Sequence, residues 1–385
     1  MKKKSIGILT YHGAYNYGSF LQAYALQKII SERYKVDCKI INYRKDKQKE
    51  FYSPIKKNNS IRNIVKNIVS LPYIENLENR NNLFEQMINS ELNLTEEYKS
   101  KKELEERIPK FDLLISGSDQ IWNPGILDFD DVYLLNFKLD SIKISYAASM
   151  GSFPRLSMNE QVIFKQCLSS YSKISVREED VKTIIEPLTH STVNVCVDPT
   201  LLINILTYRS LIKSEYLNVR LPEGDFIFFY SICYNKEMIE RVMKFAEVKD
   251  LPVYMIFTGS IKLVKMKVKN LYVILDASIS DFLYLIEKAK YVCSSSFHGT
   301  ALAIIFKKVF FVINELKDGK YLIDSRMNNL LKKIDLSDRI INDNFEECPE
   351  EIDYDNVLAK LQDYTKKSLR FLDESMELIE CTKNY

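Results

Sequence analysis

Short apolar runs recur along the chain, each closing on a small or polar residue, and longer amphipathic stretches separate many of them. Ile6–Thr10 reads as a first strand, Gly13–Gly18 as a turn, and Ser19–Ile30 as a helix with Leu21, Ala25 and Ile29 on one face. Cys38–Tyr43 is a second strand, so the chain opens as a βαβ unit. Further strands are predicted at Phe111–Ser116, Lys143–Ala148, Lys173–Val176 and Val193–Val197. These runs are largely apolar, as strands buried on both faces of a parallel sheet should be. Leu206–Asp225 breaks the pattern, with Pro222 and Gly224 as punctuation. A second series follows at Phe226–Ile232, Pro252–Phe257, Leu271–Leu275, Tyr291–Cys293 and Val309–Ile313, with helices at Lys236–Val248 and Asp281–Ala289. The tail, Glu350–Glu380, is helical throughout, as one element or two.

The pattern predicts an α/β protein of two doubly wound, Rossmann-like domains facing across a cleft, a GT-B-like architecture. The expected division is an N-terminal domain over 1–205, a connector over 206–225, a C-terminal domain over 226–345 and a helical segment over 346–385. Residues 44–110 form a helical excursion of the first domain, and no internal repeat stands out.

Composition narrows the class mainly by exclusion. A net charge of +2 gives no global signal for nucleic acid. The seven cysteines (38, 167, 196, 233, 293, 348 and 381) include no CxxC pair, so neither a zinc site nor a disulfide framework is indicated. No cluster of His, Cys and carboxylates suggests a metal, and no cofactor is expected. Without a signal peptide or an apolar run near 18 residues, the chain is expected to be soluble and cytoplasmic.

One local departure concerns the excursion. Residues 44–66 hold eight Lys or Arg against two acidic residues, and Ile61, Ile64, Val65, Ile68 and Val69 follow at helical spacing. Such a segment can lie on an anionic membrane surface, which makes 44–69 a candidate for peripheral contact with the inner face of the membrane. The plainer alternative is a helix packed on its own domain with a solvated basic face.

Glycine is scarce, ten residues in all, and Gly13, Gly18, Gly117, Gly151, Gly259 and Gly299 all fall just after predicted strands. Ligands of open parallel sheets bind at the carboxyl ends of the strands, so these positions mark one functional edge. Ser294-Ser295-Ser296-Phe297-His298-Gly299 reads as strand, tight turn and helix start. A helix N-terminus favours anions, and a histidine beside it can act as acid or base near neutral pH. The alternative is that His298, one of three histidines, merely packs the turn.

Other segments carry similar pairs of readings. Gly13–Gly18 is neither a P-loop nor GxGxxG, yet it sets Asn16, Tyr17 and Ser19 at a helix start, where they suit sugar hydroxyls or a plain turn. Ser118, Asp119, Gln120 and Trp122 combine amide, carboxylate and an aromatic face, as carbohydrate contacts do; Trp122 can equally anchor its loop. Arg177 can fork onto a carboxylate or phosphate, or pair with Glu178, Glu179 or Asp180. Asp198-Pro199 looks structural, as a capped strand end. Arg326, near the start of a late helix, can bind an anion or pair with Asp324 or Asp338.

In order along the chain, Asn16-Tyr17-Gly18-Ser19 with Leu21-Gln22-Ala23, Gly117–Pro124, Ser145–Ser149, Ser175–Glu178, Asp198–Leu202, Ser296–Gly299 and Ser325–Leu331 resemble the polysaccharide pyruvyl transferase family over roughly residues 5 to 340. That resemblance implies phosphoenolpyruvate as donor and a saccharide acceptor, possible as a lipid-linked precursor of a surface polysaccharide. It further implies that His298 supplies or shuttles a proton, that Arg177 binds the donor, and that Ser294, Ser295, Ser296, Gly299 and Arg326 line the donor site. Asn16, Tyr17, Ser19, Ser118, Asp119, Gln120 and Trp122 fall to the acceptor. Family members often carry Arg where this chain has Ser296, so Arg326, Lys307 or Lys308 must compensate or the donor is held differently. The competing readings are a GT-B glycosyltransferase using a nucleotide sugar and a non-catalytic glycan-binding protein of the same fold.

Overall fold

The computed structural model describes residues 3–341 and 350–381, apart from 58, 152–154, 222, 259–265, 267, 318–319 and 323. Pro222, Gly259 and Cys348 lie outside the described residues. The chain divides into two compact units, each discontinuous in sequence. One comprises Met1–Tyr52, Met87–Ile203 and Gln362–Tyr385, and the other Ser53–Gln86 and Asn204–Leu361. The excursion at 44–110 is thus shared between them.

The first unit is built on β1 (Ser5–Leu9), β2 (Asp37–Tyr43), β3 (Leu94–Tyr98), β4 (Leu113–Ser116) and β5 (Ile142–Ser145), all parallel, in the order β3-β2-β1-β4-β5. β6 (Ile174–Val176) and β7 (Val193–Val195) form a separate parallel pair. Two isolated bridges, Ile144 to Lys173 and Ala148 to Val176, tie that pair to β5 and to the segment just after it. The continuous sheet expected through β7 is therefore interrupted. Hydroxyls replace ladder bonds there: Ser175 N donates to Ser145 Oγ at 2.9 Å, and Ala147 N donates to Ser175 Oγ at 3.0 Å. The helix Tyr17–Tyr34 is buried along most of its length, which is why it reads as almost wholly apolar or small on its inner turns.

The second unit repeats the plan. β8 (Ile227–Tyr230), β9 (Val253–Ile256), β10 (Leu271–Ile274), β11 (Tyr291–Ser294) and β12 (Val309–Ile313) are followed by a hairpin, β13 (Glu315–Lys317) with β14 (Lys320–Leu322), and by the two-residue β15 (Ile340–Ile341). The main sheet runs β10-β9-β8-β11-β12-β15, all parallel. Counted within the unit, this is the 3-2-1-4-5-6 order of a Rossmann sheet, and the first unit shows its 3-2-1-4-5 part. Two Rossmann-like α/β units of this kind are what the GT-B-like class requires. β8 and β11 are fully buried, and their residues pack with Phe245, Tyr291 and Phe311 in an aromatic cluster.

The tail is one helix, Tyr354–Cys381, whose last part belongs to the first unit. The excursion folds as helices Asp46–Tyr52, Ile61–Ser70 and Ile74–Glu91, then the edge strand β3 and helix Lys101–Arg107. No described helix is long and apolar enough to cross a membrane.

Candidate functional site

In each unit the strand order reverses between the first and fourth strands, so the topological switch point lies at the carboxyl ends of β1 and β4 and again at those of β8 and β11. The same device closes both places. The residue after β1, Thr10, donates from Oγ1 to the carbonyl of Ser118 at 2.9 Å. The residue after β8, Ser231, accepts at Oγ from the Ser295 hydroxyl at 2.7 Å. Neither Thr10 nor Ser231 stood out in the sequence; the available signal was a polar residue directly after an apolar strand.

At the second switch point, β11 runs into the helix Phe297–Ile305. Ser294 Oγ accepts from the amide of Ser296 at 3.0 Å and turns the chain. Ser296 is the N-cap, and its side chain makes no capping bond. The first turn of a helix points its N–H groups toward the N-terminus, where they favour an anion. Gly299 fits because a Cβ there would meet Ser294 Oγ at 2.4 Å and the Tyr230 ring at 2.9 Å. His298 is buried in this first turn, with its ring edge-on to Phe297 at 5.4 Å.

Arg326 belongs to the same region. Its guanidinium lies 5.9 Å from the centre of the Phe297 ring, and Thr300 Oγ1 contacts Met327 Sδ at 3.2 Å, so the two helix starts lie together. Arg326 Nε and Nη2 both bond Asp324, at 2.9 and 2.5 Å, while Asp338 pairs with Arg339 instead. Lys307 and Lys308 lie past the far end of the helix Phe297–Ile305, about 13 Å along its axis from His298. Lys308 also bonds the carbonyl of Glu287. Of the three cations expected to compensate for Ser296, only Arg326 stands near the turn.

The first switch point brings four of the motif segments into one hydrogen-bonded shelf. Asn16 caps the helix Tyr17–Tyr34 through Ser19 N, at 3.1 Å. Ser19 Oγ donates to Asp119 Oδ2 at 2.6 Å, and Asp119 Oδ1 accepts from Gln120 N at 2.8 Å. Gln22 Nε2 bonds Thr10 Oγ1, the Tyr11 carbonyl and the Ser19 carbonyl, each at 2.9 Å, locking the loop to the helix. Ser118 Oγ donates to the Ala147 carbonyl at 3.1 Å and accepts from Arg177 Nη2 at 2.7 Å. Ser149 Oγ donates to Glu178 Oε1 at 2.7 Å. The backbone is strained here: φ is +131° at Gly117, +70° at Asp119 and +46° at Ala147. A Cβ on Gly117 would come within 2.1 Å of the Tyr146 carbonyl.

Three expectations change on this geometry. Arg177 pairs with Asp198, its Nη2 lying 2.6 Å from Asp198 Oδ2 with both side chains buried. Asp198 also accepts at Oδ1 from the amide and hydroxyl of Thr200, so it caps the turn and neutralises the arginine together. Trp122 offers no face to a sugar. It is completely buried, donates from Nε1 to Ser116 Oγ at 3.0 Å, and is flanked edge-on by Phe164 and Tyr171. Tyr17 and Ser118 are buried as well, while Gln120 holds Asn123 at 2.9 Å and remains part-exposed.

Beside the shelf lies a polar and aromatic cluster that sequence reasoning passed over. The buried Tyr11 packs edge-on against Tyr133 at 4.6 Å, and its hydroxyl has no hydrogen-bond partner among the described residues. Asp128 Oδ2 accepts from Gln48 and Tyr52, each at 3.4 Å, and burial raises its pKa. Tyr15 stacks edge-on with Tyr52 at 5.7 Å and lies under the Arg44 guanidinium. These residues are scattered over 11–133, and no local motif links them. The remaining histidines are placed differently: His12 is held by the Thr10 carbonyl and Asn42 Oδ1, and His190 is exposed. Among the described residues, no group of three His, Cys, Asp or Glu side chains is placed to hold a metal.

Comparison with known proteins adds a family. The family model described as polysaccharide pyruvyl transferase matches residues 16–316, most of the chain. No curated protein matches the chain in sequence. Among solved structures, UDP-GlcNAc 2-epimerase from Methanocaldococcus jannaschii, in complex with UDP-GlcNAc and UDP, is 14% identical, with 95% of this chain and 93% of that chain covered and a TM-score of 0.46. The S. aureus MnaA structure with UDP is 12% identical, covering 94% and 87%, with a TM-score of 0.49. The E. coli heptosyltransferase WaaC with ADP is 12% identical, covering 82% and 90%, with a TM-score of 0.37.

Proposed function

The chain belongs to the polysaccharide pyruvyl transferase family, and on that premise we propose that it transfers a pyruvate ketal from phosphoenolpyruvate to two hydroxyls of a saccharide in a surface polysaccharide or its precursor. The observation that carries this reading is the buried histidine in the first turn of a helix that starts at the second switch point, where the N-cap Ser296 makes no side-chain capping bond. Phosphoenolpyruvate has a phosphate and a carboxylate, and a helix N-terminus with a nearby cation suits both.

The chemistry needs one positioned acid. His298 protonates carbon 3 of the donor, which makes carbon 2 electrophilic. A sugar hydroxyl adds to carbon 2 and loses its proton. A second hydroxyl displaces phosphate and closes the ketal. Arg326, oriented by Asp324, supplies the positive charge that Ser296 does not. Ser295, held by Ser231, adds a hydroxyl at the helix start. Arg177 acts at one remove, as a positioning residue for Ser118 and the strained turn around Asp119. The acceptor falls to the first unit, where Asn16, Ser19, Asp119 and Gln120 lie beside the Tyr11 and Asp128 cluster. The reaction as written requires no cofactor. We place it in the cytoplasm, on a precursor that is either free or lipid-linked.

The test is turnover of phosphoenolpyruvate with an extract of cell-envelope saccharide precursors, followed by phosphorus and proton NMR. The expected result is acceptor-dependent release of phosphate with a new ketal methyl signal. Transfer of sugar from a nucleotide sugar instead would make this a glycosyltransferase. Saccharide binding without phosphate release, unchanged in His298→Ala, would make it a glycan-binding protein.

A further inference from the structure

The helix Ile61–Ser70 leaves much of its apolar face exposed. Ile61, Ile64, Val65 and Ile68 recur at the spacing of one helical face, and Leu71 extends it. All five are exposed, Ile61 to 82%, Ile68 to 60% and Leu71 to 62%. Ile55, in the preceding loop, is exposed as well. A contiguous apolar stripe of this kind on a protein surface marks something that covers it.

The polar side of the helix is used internally. Asn67 brackets the backbone of Lys56, accepting from its N–H and donating to its carbonyl, both at 2.8 Å. Asn63 Nδ2 donates to the carbonyl of Lys57 at 3.0 Å, and Ser60 caps the helix start. The loop carrying Lys56 and Lys57 is thereby strapped along one flank of the apolar face. Lys57 and Lys66 are exposed. The apolar stripe is thus accompanied, on its own helix and the loop before it, by these exposed cations.

We propose that this face docks the protein on an anionic lipid bilayer, with the helix lying in the interface, its apolar stripe among the acyl chains and its lysines at the headgroups. The charge pattern selects this occupant. A second copy meeting the same face across a two-fold axis would set its lysines against identical lysines, whereas anionic headgroups satisfy stripe and cations together. The inference stands whether or not the donor is phosphoenolpyruvate.

Co-sedimentation of the full chain with phosphatidylglycerol–phosphatidylcholine vesicles, beside pure phosphatidylcholine, tests it. The wild type should pellet with anionic vesicles at low salt and be released at high salt. Lys57→Gln and Lys66→Gln should each weaken binding about fivefold, as a loss of roughly 1 kcal/mol per basic residue implies. Ile61→Ser/Ile68→Ser/Leu71→Ser should abolish binding while nearly keeping the wild-type unfolding midpoint, because these side chains are already 60% exposed or more. Wild type remaining in the supernatant with anionic vesicles at low salt would overturn the proposal, as would a triple variant that pellets like wild type. A wild-type dimer that the triple variant splits, without vesicle binding, would overturn it in favour of a second copy.

Discussion

Arg177 Nη2 stands 2.6 Å from Asp198 Oδ2, with both side chains out of solvent. The pair explains how two motif segments about twenty residues apart act as one part. Asp198 is fixed by Thr200, Arg177 is fixed by Asp198, and Ser118 is fixed by Arg177. Arg177→Met should therefore act first on stability, by about 3–5 kcal/mol, because it leaves a buried carboxylate uncompensated. Arg177→Met/Asp198→Asn should cost less than Arg177→Met alone. Urea unfolding of the three proteins checks this, and equal losses would show that the ion pair is not the organising contact.

Trp122 is a core residue. Trp122→Ala should destabilise by about 3–5 kcal/mol, the cost of emptying an aromatic site. Trp122→Phe should fold and keep the acceptor KM of the wild type. A raised acceptor KM in Trp122→Phe with unchanged stability would restore the indole to the sugar.

The docking of the tail helix on the helix Tyr17–Tyr34 should depend on pH. Arg33 bonds both oxygens of Asp373 at 2.8 Å and Tyr34 adds a third bond at 2.7 Å, and the Arg33 bond is the main reason that its pKa lies below the ordinary 3.8. A depressed carboxyl contributes stability above its unfolded value and loses it as pH falls through the folded one. Asp373 is 40% exposed, so the contribution is small, about 0.2–1 kcal/mol. The urea midpoints of wild type and Asp373→Asn should differ at neutral pH and converge well below the carboxylate range. A gap of equal size at both would remove the ion pair as its source.

Cys233 gives a chemical probe of the second switch point. It is exposed, and its amide bonds Ser231 Oγ at 3.2 Å, the oxygen that Ser295 also reaches. Cys38, Cys167, Cys196 and Cys293 are buried, and burial raises the Cys167 and Cys196 thiols to about 11. Among these five, iodoacetamide should modify Cys233 alone in the folded protein, and phosphoenolpyruvate should slow that reaction. Unchanged labelling with saturating phosphoenolpyruvate would separate the donor site from this loop.

Much of the fold was legible because parallel strands buried on both faces leave uninterrupted apolar runs, as at β1, β4, β11 and β12. The edge strands were not. β3, Leu-Thr-Glu-Glu-Tyr, is mostly half-buried and carries two adjacent glutamates, as an edge protected against pairing does, and its composition resembles the helices on either side. β15 is two residues long. The repeat of strand order in the two units was invisible because it resides in backbone pairing, which different side chains satisfy equally. For the site, motifs placed the turns correctly, since glycine and small polar residues are demanded there by backbone geometry. What each side chain does was less readable: Trp122 and Arg177 are attractive ligands by type, and only burial and the distant Asp198 show them occupied. The exposed face of Ile61–Ser70 carries the opposite lesson. Its pattern matches a core helix, and exposure alone tells the two apart.

The most direct test of the account is thermal stabilisation by phosphoenolpyruvate, set beside phosphate, pyruvate and UDP-sugars, in wild type, His298→Ala and Arg326→Ala. A ligand at a hundred times its Kd adds about 2.7 kcal/mol to the folded state. The account predicts a rise in Tm specific to phosphoenolpyruvate, largely lost in Arg326→Ala and reduced in His298→Ala. A rise with UDP-sugars and none with phosphoenolpyruvate would contradict it.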